Sequence, residues 1–572
     1  MNLVHNLMTA AMSSFKGNNR STVVTPCLLR HSRVAPSSLS YARLPTPRRL
    51  NASDTGRGIT ELLGVQYRQH KSDRCSGNIA SVSLHCKIPD SGGQSAPPAI
   101  HGSYACYPTW NGSFIALNCH IHWRLNVTQL TLDFRPVTTL QWGVVTAAAS
   151  RTSPQVDVRN KVVYFGTQIH ALLIAADLST GAILATKQVR PHELATITAS
   201  LTLYDDLLFV GTSSWEESAG IYDLTYSCCS FIGNAAALRF SRRLGKFTTV
   251  WNVSTIPGNL PHEPNSTFQW SGAAIWGDQP PIDVHRKQVF FATGNTYTVP
   301  SSFHHCTFPN VTDMHCFPSY IWQESILALD MYTGRADWVR RLDKLDAWTQ
   351  VCRPAFNPEQ PKNEALCPHY PGPDYDFGMA PSIVQDVRFG DKKRDVLAIG
   401  QKSGLLFGIA ADTGQVLWRV LASPGHTLGG LIWGVAADNE SVYYTGVNYG
   451  QQDWVLQPGN KTTVKNSIFG AADVRTGELL WQIQAPREDV AWVMPALVGK
   501  ELALFGATGT HGYISPDNGA VVAVKKTTGK VVLEMEVEGA FRGGYAVEGR
   551  WVMIGTAYRG VAGAFWVFKG GK

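Results

Sequence analysis

A short motif that repeats along the chain constrains the fold more than any other feature of the sequence. Asp-x-x-Thr-Gly-x-x-x-Trp is complete at 330–338 and 473–481, and a variant, Asp-Thr-Gly with a Trp four residues after the Gly, ends the stretch 395–418. In that stretch two apolar runs with a period of two precede the turn, and the third run carries Trp418. This pattern predicts three antiparallel strands joined by tight turns.

The repeat extends over most of the chain. The turn recurs at 177–181 and 525–529, where Ala185 and Leu533 stand in place of the Trp. Eight units of short strands can be traced, with main segments at 86–117, 162–181, 207–251, 275–338, 395–418, 432–481, 502–529 and 551–568. Units of this length predict an all-β, eight-bladed β-propeller of four-stranded antiparallel blades. The last unit is short of a strand, and we expect a strand from about residues 60–86 to complete it and close the ring.

Residues 1–60 differ in composition from the rest. They are rich in Ser, Arg and Pro, and the first 50 hold seven Lys/Arg and no acidic residue. We predict a disordered basic leader, either a targeting segment or an incorrectly assigned start, followed by one propeller domain over 61–572. The remaining 43 basic residues equal the 43 acidic ones in number, so the net charge of +7 comes from the leader. The charge of the propeller domain therefore does not indicate binding to nucleic acid.

Sequons and cysteines point to an oxidising compartment. Nine Asn-x-Ser/Thr triplets occur, where about three or four are expected from composition. The 11 cysteines include no Cys-x-x-Cys pair and no haem-attachment motif. We therefore expect a secreted glycoprotein with disulfides, although the acid-free N-terminus also suits an organelle transit peptide. No apolar run reaches the roughly 18 residues of a membrane span.

The repeated motif resembles the tryptophan-docking motif of quinoprotein dehydrogenases, eight-bladed propellers that bind pyrroloquinoline quinone (PQQ). The resemblance covers about residues 85–570 and is nearest to the polyvinyl-alcohol-dehydrogenase-like branch. The similar segments are 210–217, Cys228-Cys229, 272–277, 293–295, 373–378 and 401–404. The docking motif itself ties neighbouring blades together, so it indicates the fold and not the chemistry.

The resemblance implies a cofactor site. Glu216 and Asn295 are expected to ligate Ca²⁺, a hard cation that prefers oxygen donors, with Glu217 competing for the role of Glu216. Trp276 is expected to form the floor beneath the quinone, and Lys402 to bond the quinone oxygens. Each residue also has a purely structural alternative. Glu216 could be a solvated loop carboxylate and Asn295 a turn residue. Trp276 could be a packing indole and Lys402 a surface lysine.

The catalytic base departs from the family pattern. The Asp-x-Trp-Asp segment of quinoprotein alcohol dehydrogenases corresponds to Asp346-Ala-Trp-Thr349 here, so the second Asp is absent. We predict that Asp374 takes its place as the base, with Asp376 as its neighbour, because an Asp-x-Asp pair can divide the cation-binding and proton-accepting roles. A turn without calcium is the alternative.

The cysteines leave two arrangements open. Cys228 and Cys229 form either a vicinal disulfide against the cofactor, as in some members of the family, or two separate disulfides to other loops. Two further structural pairs are expected in loop insertions, Cys306/Cys316 and Cys352/Cys367.

Two functions follow from these features. The first is a PQQ- and Ca²⁺-dependent dehydrogenase that oxidises a small-molecule or polymeric alcohol and passes electrons to an external acceptor. The second is a cofactor-free propeller that serves as a binding scaffold, a role favoured by Ala185, Leu533 and Thr349. Convergence of Glu216, Asn295 and either Asp374 or Asp376 near the ring axis above Trp276 would distinguish the two.

Overall fold

The fold is an all-β propeller of eight four-stranded antiparallel sheets. A computed structural model describes residues 82–570 except 91, 102–103, 118–120, 127–149, 224, 259–269, 308–312, 314, 353–365, 460–461, 488–489, 510–516 and 559–560. The predicted leader, residues 1–60, lies outside the described residues. Within the described part, no helix is long and apolar enough to cross a membrane.

The first four blades each run from an inner to an outer strand in chain order. Blade 1 holds β2 (Ala99–His101), β3 (Tyr104–Pro108), β4 (Ser113–Leu117) and β5 (Ile121–Asn126). Blade 2 holds β6 (Gln155–Asp157), β7 (Val162–Gly166), β8 (Leu172–Asp177) and β9 (Ile183–Gln188). Blade 3 holds β11 (Thr202–Tyr204), β12 (Leu207–Gly211), β14 (Asn234–Ser241) and β15 (Lys246–Ser254). Blade 4 holds β17 (Ile282–Asp283), β18 (Gln288–Ala292), β20 (Ser325–Asp330) and β21 (Ala336–Arg341).

The last four blades complete the ring. Blade 5 holds β22 (Ser382–Phe389), β23 (Lys392–Gly400), β24 (Leu405–Ala410) and β25 (Val416–Leu421). Blade 6 holds β26 (Val435–Ala437), β27 (Ser441–Gly446), β30 (Ile468–Asp473) and β31 (Leu479–Gln484). Blade 7 holds β32 (Ala496–Val498), β33 (Leu502–Ala507), β34 (Gly519–Lys525) and β35 (Val531–Val537). Blade 8 holds β36 (Ala546–Glu548), β37 (Trp551–Gly555), β38 (Gly563–Gly570) and β1 (Val82–Asp90).

The ring is closed by an N-terminal strand, as predicted, but at a different position. Strand β1 pairs antiparallel with β38 and supplies the outer strand that the eighth unit lacks. Cys86 lies in this strand, so its assignment to the first blade was wrong. Closure removes the open sheet edges that the first and last blades would otherwise present.

Smaller elements lie in those loops that the structure describes. Three two-stranded ribbons pair β10 (Ala195–Thr196) with β13 (Ser213–Ser214), β16 (Ser271–Gly272) with β19 (Thr296–Thr298), and β28 (Trp454–Val455) with β29 (Thr463–Val464). One α-helix, α1 (Glu216–Tyr222), and a 3₁₀ helix (Ser301–Cys306) lie in the insertions of blades 3 and 4.

The tryptophans at the ends of blades 3 to 6 each connect their blade to the next. The indole of Trp338 in blade 4 donates to the carbonyl of Ala411 in blade 5 at 3.1 Å, and that of Trp418 donates to Val474 in blade 6 at 2.9 Å. The same indoles lie against the turn glycines Gly414 and Gly477, whose φ angles of 68° and 74° favour glycine. A side chain at either position would collide with the ring, so the motif holds neighbouring blades together.

Candidate active site

The site is built by loops on one end of the ring. The segments that enter the inner strands of blades 4 and 5 carry Trp276 and the pair Asp374 and Asp376. The segments that leave the second strands of the same blades carry Asn295 and Lys402. In antiparallel blades the start of the first strand and the end of the second lie at the same edge, which explains why residues so far apart in sequence meet.

Lys402 is the centre of the cluster. Its ammonium nitrogen lies 2.9 Å from Oδ1 of Asp374 and 3.0 Å from Oδ2 of Asp376, and all three side chains are buried. Burial lowers the pKa of Lys402, but the two aspartates outweigh burial and raise the pKa above the usual lysine value. Lys402 is therefore a buried charged group and not a surface turn lysine.

Asp376 connects three parts of the site. Its Oδ1 accepts a hydrogen bond from the backbone amide of Asn295 at 2.6 Å, and its Oδ2 accepts one from the indole of Trp276 at 3.1 Å. A Cβ at Gly294 would lie only 2.6 Å from Oδ1 of Asp376, so the close approach requires glycine there. Gly294 thus allows the carboxylate of Asp376 to approach the amide of Asn295.

Asp374 is a buried carboxyl with a raised pKa in a strained part of the loop. Burial raises the pKa of this carboxyl well above its usual range; Lys402 opposes the rise and Asp376 adds to it. Its φ of 62° is rare for a residue with a side chain, and such strain is concentrated at functional sites. The loop is supported by Asp346, whose Oδ2 accepts the amide of Tyr375 at 2.8 Å.

The first turn of α1 presents two glutamates, and they have different surroundings. Both oxygens of Glu216 are engaged: Oε1 accepts from the hydroxyl of Tyr226 and the amide of Ser230, and Oε2 accepts from the amide of Phe231. Burial raises the pKa of Glu216, but hydrogen bonds from His192 and these amides lower it overall. Glu216 therefore anchors the insertion of blade 3.

Glu217 belongs to the central cluster instead. Burial, followed by repulsion from Asp376, raises the pKa of Glu217 to about 8, and Lys402 lowers it. The prediction that Glu216 is a cation ligand stays a prediction; the electrostatic contacts of Glu217 with Asp376 and Lys402 place the alternative residue beside the central cluster. The side-chain amide of Asn295 donates to the carbonyl of Trp348 at 2.9 Å, which fixes its orientation beside Asp376.

Trp276 separates the cluster from a central cavity. Its ring lies 5.2 Å from the Lys402 nitrogen and meets Trp433 edge-on at 5.8 Å. The cavity is lined by segments that enter blades 1–4 and 6–8, among them Arg151, Trp492 and Arg542. It therefore lies at the middle of the ring, with the indole of Trp276 in its wall.

Six cysteines in the described part of the chain pair in three disulfides. Cys306 bonds Cys316 and Cys352 bonds Cys367, as predicted. Cys228 and Cys229 bond each other and not other loops. Cys229 lies in the same apolar group as Phe231, against which Trp276 packs. The vicinal arrangement is thus the one adopted, on the Trp276 side of the ring.

Comparison with known proteins agrees with the sequence motifs. The chain is 27% identical over 406 residues to a polyvinylalcohol dehydrogenase of a Pseudomonas species, and 29% identical over 364 residues to one of a Sphingopyxis species. The predicted resemblance is confirmed. The alignments cover 70% and 61% of this chain but only 55% and 49% of those proteins, so the chain spans about half the length of the curated relatives that it matches. No protein-family model matches the chain.

Solved structures share the fold. A quinohemoprotein alcohol dehydrogenase from Pseudomonas putida superposes with a TM-score of 0.59 at 14% identity, covering 86% of this chain and 76% of that one. A europium-containing methanol dehydrogenase superposes with a TM-score of 0.56 at 13% identity, covering 86% and 94%. At such low identity these likenesses establish the eight-bladed architecture alone.

Proposed function

We propose that this chain is a PQQ- and Ca²⁺-dependent dehydrogenase that oxidises an alcohol or polyol and passes the electrons to an external acceptor. One observation carries the proposal: Trp276, Asn295, Asp374, Asp376 and Lys402 converge in one buried cluster, although they are spread over 127 positions of the sequence. A packing role alone would not require two aspartates and a lysine to be buried together.

The charges of the cluster suit a divalent cation. Asp374, Asp376 and Glu217 supply three carboxylates, whereas Lys402 supplies one positive charge. Carboxylate and amide oxygens are the ligands that Ca²⁺ prefers. We assign Glu217, Asp376 and Asn295 as the residues that would hold the cation, and Trp276 as the surface on which the quinone would lie.

The residues around the cation would then have separate roles in the reaction. When bound, PQQ supplies the two-electron oxidising capacity that no side chain has. Asp374 would accept the proton of the substrate hydroxyl, since a raised pKa brings a carboxyl closer to the basicity that proton transfer needs. Lys402 would hold Asp374 in place and offer its N–H groups to an oxygen of the ligand.

The substrate class follows from the relatives named polyvinylalcohol dehydrogenase. We propose that secondary alcohols, either small diols or the polymer, are oxidised beside Asp374. Reconstitution with PQQ and Ca²⁺, followed by reduction of an artificial electron-accepting dye in the presence of such alcohols, tests this. Absence of dye reduction with every alcohol, with the quinone bound, would contradict the dehydrogenase function; absence of quinone binding would favour the cofactor-free scaffold.

We also propose that the protein is secreted and glycosylated. Three disulfides fit an oxidising compartment. Among the predicted sequons, Asn111, Asn252 and Asn439 have exposed side chains, which an attached glycan needs. The other sequon side chains lie outside the described residues.

A further inference from the structure

The connection between blades 4 and 5 passes the candidate active site twice. Its first pass, residues 346–352, follows β21, and its second pass, residues 366–376, leads towards β22 and carries both aspartates of the site. The disulfide between Cys352 and Cys367 joins the two passes. We call residues 346–352 the support segment, because they bond several parts of the site.

The support segment holds the loop that carries the aspartates. Oδ2 of Asp346 accepts the amide of Tyr375 at 2.8 Å, and the carbonyl of Ala347 accepts the amide of Gly372 at 2.9 Å. These two hydrogen bonds fix the loop on both sides of Asp374. The φ of Asp374 is 62°, and a residue with a side chain keeps such a conformation only where its surroundings enforce it.

The support segment also bonds Asn295 and the first turn of α1. The carbonyl of Trp348 accepts the side-chain amide of Asn295 at 2.9 Å. The amide of Gln350 donates to the carbonyl of Glu217 at 3.0 Å. Residues that are far apart in the sequence are therefore placed relative to one another by a single stretch of seven residues.

The disulfide lies where α1 packs on the two passes. A Cβ at Gly220 in α1 would lie 2.7 Å from Cδ1 of Leu366 and 2.8 Å from Cγ1 of Val351, so the neighbours of both cysteines lie close against the helix. The hydroxyl of Thr349 donates to the carbonyl of Leu366 at 3.4 Å. The disulfide and this hydrogen bond thus hold the two passes together against α1.

We propose that the Cys352–Cys367 disulfide positions Glu217, Asn295 and the two aspartates, and that its reduction by an external thiol loosens them and weakens quinone binding. A crosslink limits the conformations open to the segment that it closes. Without it, the support segment can leave the place in which its hydrogen bonds form. Both cysteines are thus positioning residues. The effect on quinone binding rests on the proposed function, whereas the positioning role does not.

The exposure of the two cysteines sets the course of the reduction. Cys367 is partly exposed and Cys352 is buried, so an external thiolate attacks the sulfur of Cys367. The bond between the two sulfurs breaks, and Cys352 leaves as a thiolate and takes up a proton. A second external thiol then releases Cys367 as a thiol and forms an external disulfide. Two external thiols are oxidised for each protein disulfide reduced.

Hydrogen exchange of the full-length protein, followed by mass spectrometry without any quinone, tests the positioning role. In Cys352→Ser/Cys367→Ser, the amides of Gln350 and Tyr375 should exchange at least about tenfold faster than in the wild type, because the bonds that protect them open more often. Cys306→Ser/Cys316→Ser is the matched control. That disulfide also closes a short loop beside blade 4, and in the described part of the chain no hydrogen bond joins it to α1. The control should leave both amides protected.

Calorimetric titration with PQQ in the presence of Ca²⁺ tests the consequence for the site. Cys352→Ser/Cys367→Ser should bind PQQ at least about tenfold more weakly than the wild type, the loss typical of removing a group that supports a site. The control variant should bind PQQ like the wild type. In wild-type protein treated with rising concentrations of dithiothreitol, the loss of affinity should follow the alkylation of Cys352 and Cys367, and reoxidation should restore it.

Several results would overturn the proposal. Unchanged exchange of the support segment in Cys352→Ser/Cys367→Ser excludes the positioning role, and an unchanged affinity for PQQ excludes the redox effect. A wild-type protein that binds no PQQ would contradict the proposed function, and hydrogen exchange alone then decides the positioning role. If the variant does not fold, the exchange measurement is made on partly reduced wild-type protein. Loss of protection that follows alkylation of Cys228 and Cys229 instead of Cys352 would then contradict the proposal.

Discussion

Lys402 and Asp374 form an ion pair of 2.9 Å in the interior of the propeller. The pair is shared with Asp376, so one ammonium group bonds two carboxylates at the edge of Trp276. Removing one partner of such a group leaves a buried charge without compensation, which costs more than the pair contributes to stability. The ion pairs of Lys402 therefore contribute to the stability of the propeller as well as to the proposed chemistry.

Lys402→Met should destabilise the metal-free protein by about 3–5 kcal/mol, because two buried carboxylates lose their counter-charge. Urea unfolding measures the change. Lys393→Met is the control, since Lys393 pairs with Asp386 on the surface, where both side chains are more than half exposed, and should change stability by less than about 1 kcal/mol. Equal effects of the two variants would contradict the buried pair.

Glu217→Gln should reduce Ca²⁺-dependent PQQ binding by at least about 10-fold to 100-fold, the range seen when a group that supports a metal site is removed. Glu216→Gln should instead loosen the loop that bonds its two oxygens, lowering the melting temperature more than the affinity for the cation. Calorimetric titration and thermal unfolding of both variants separate these roles. The reverse ranking would favour Glu216 as the ligand.

Gly414→Ala tests the docking of blade 4 on blade 5. The added Cβ would lie 2.6 Å from the ring of Trp338, and φ is 68°. Gly390→Ala in the same blade has a φ of 62° and no atom within 4 Å of its Cβ, so it isolates the backbone strain of about 1–2 kcal/mol. Gly414→Ala should cost about 1–3 kcal/mol more in chemical denaturation. Equal losses would mean that the indole does not hold the blades together.

Asp278, on the wall of the central cavity, should give the protein a pH-dependent stability. Burial raises the pKa of this carboxyl from 3.8 to about 7. A raised pKa means that the folded state binds the proton more tightly, so this stabilisation is complete below about pH 4 and is lost as the pH rises through 7. Compared with the wild type, Asp278→Asn should show a stability loss between pH 4 and 7 that is smaller by about 3 kcal/mol. Melting curves over this range that are parallel for the two proteins would contradict the assignment.

The sequence predicts local structure here better than long-range pairing. The turn at Asp330–Gly334 is recognisable because its residues bond one another: Oδ1 of Asp330 accepts the amides of Tyr332 and Thr333. Strand β1 was harder to locate, since it pairs with β38 nearly 500 residues away. Its own sequence contains no motif that identifies the strand with which it pairs. The ring closure was predicted, but its position was not.

The site shows the same limit. Which of Glu216 and Glu217 faces the cluster depends on how α1 is rotated, and adjacent residues of a helix point about 100° apart. The contacts of Gln401 with Glu324 and of Tyr375 with Asp346 were not predicted, because they form only when segments far apart in the sequence pack together. Acidic residues spaced like these occur in many loops, so no sequence signal distinguishes them.

Titration of the purified, chelator-treated protein with PQQ in a calorimeter, with and without Ca²⁺, tests the central claim most directly. Our account predicts about one quinone per chain, bound at micromolar concentrations or more tightly in the presence of Ca²⁺, and a marked loss of affinity without Ca²⁺ or in Asp376→Asn. A protein that is folded, holds Ca²⁺ and still shows no binding of PQQ at micromolar concentrations would contradict it.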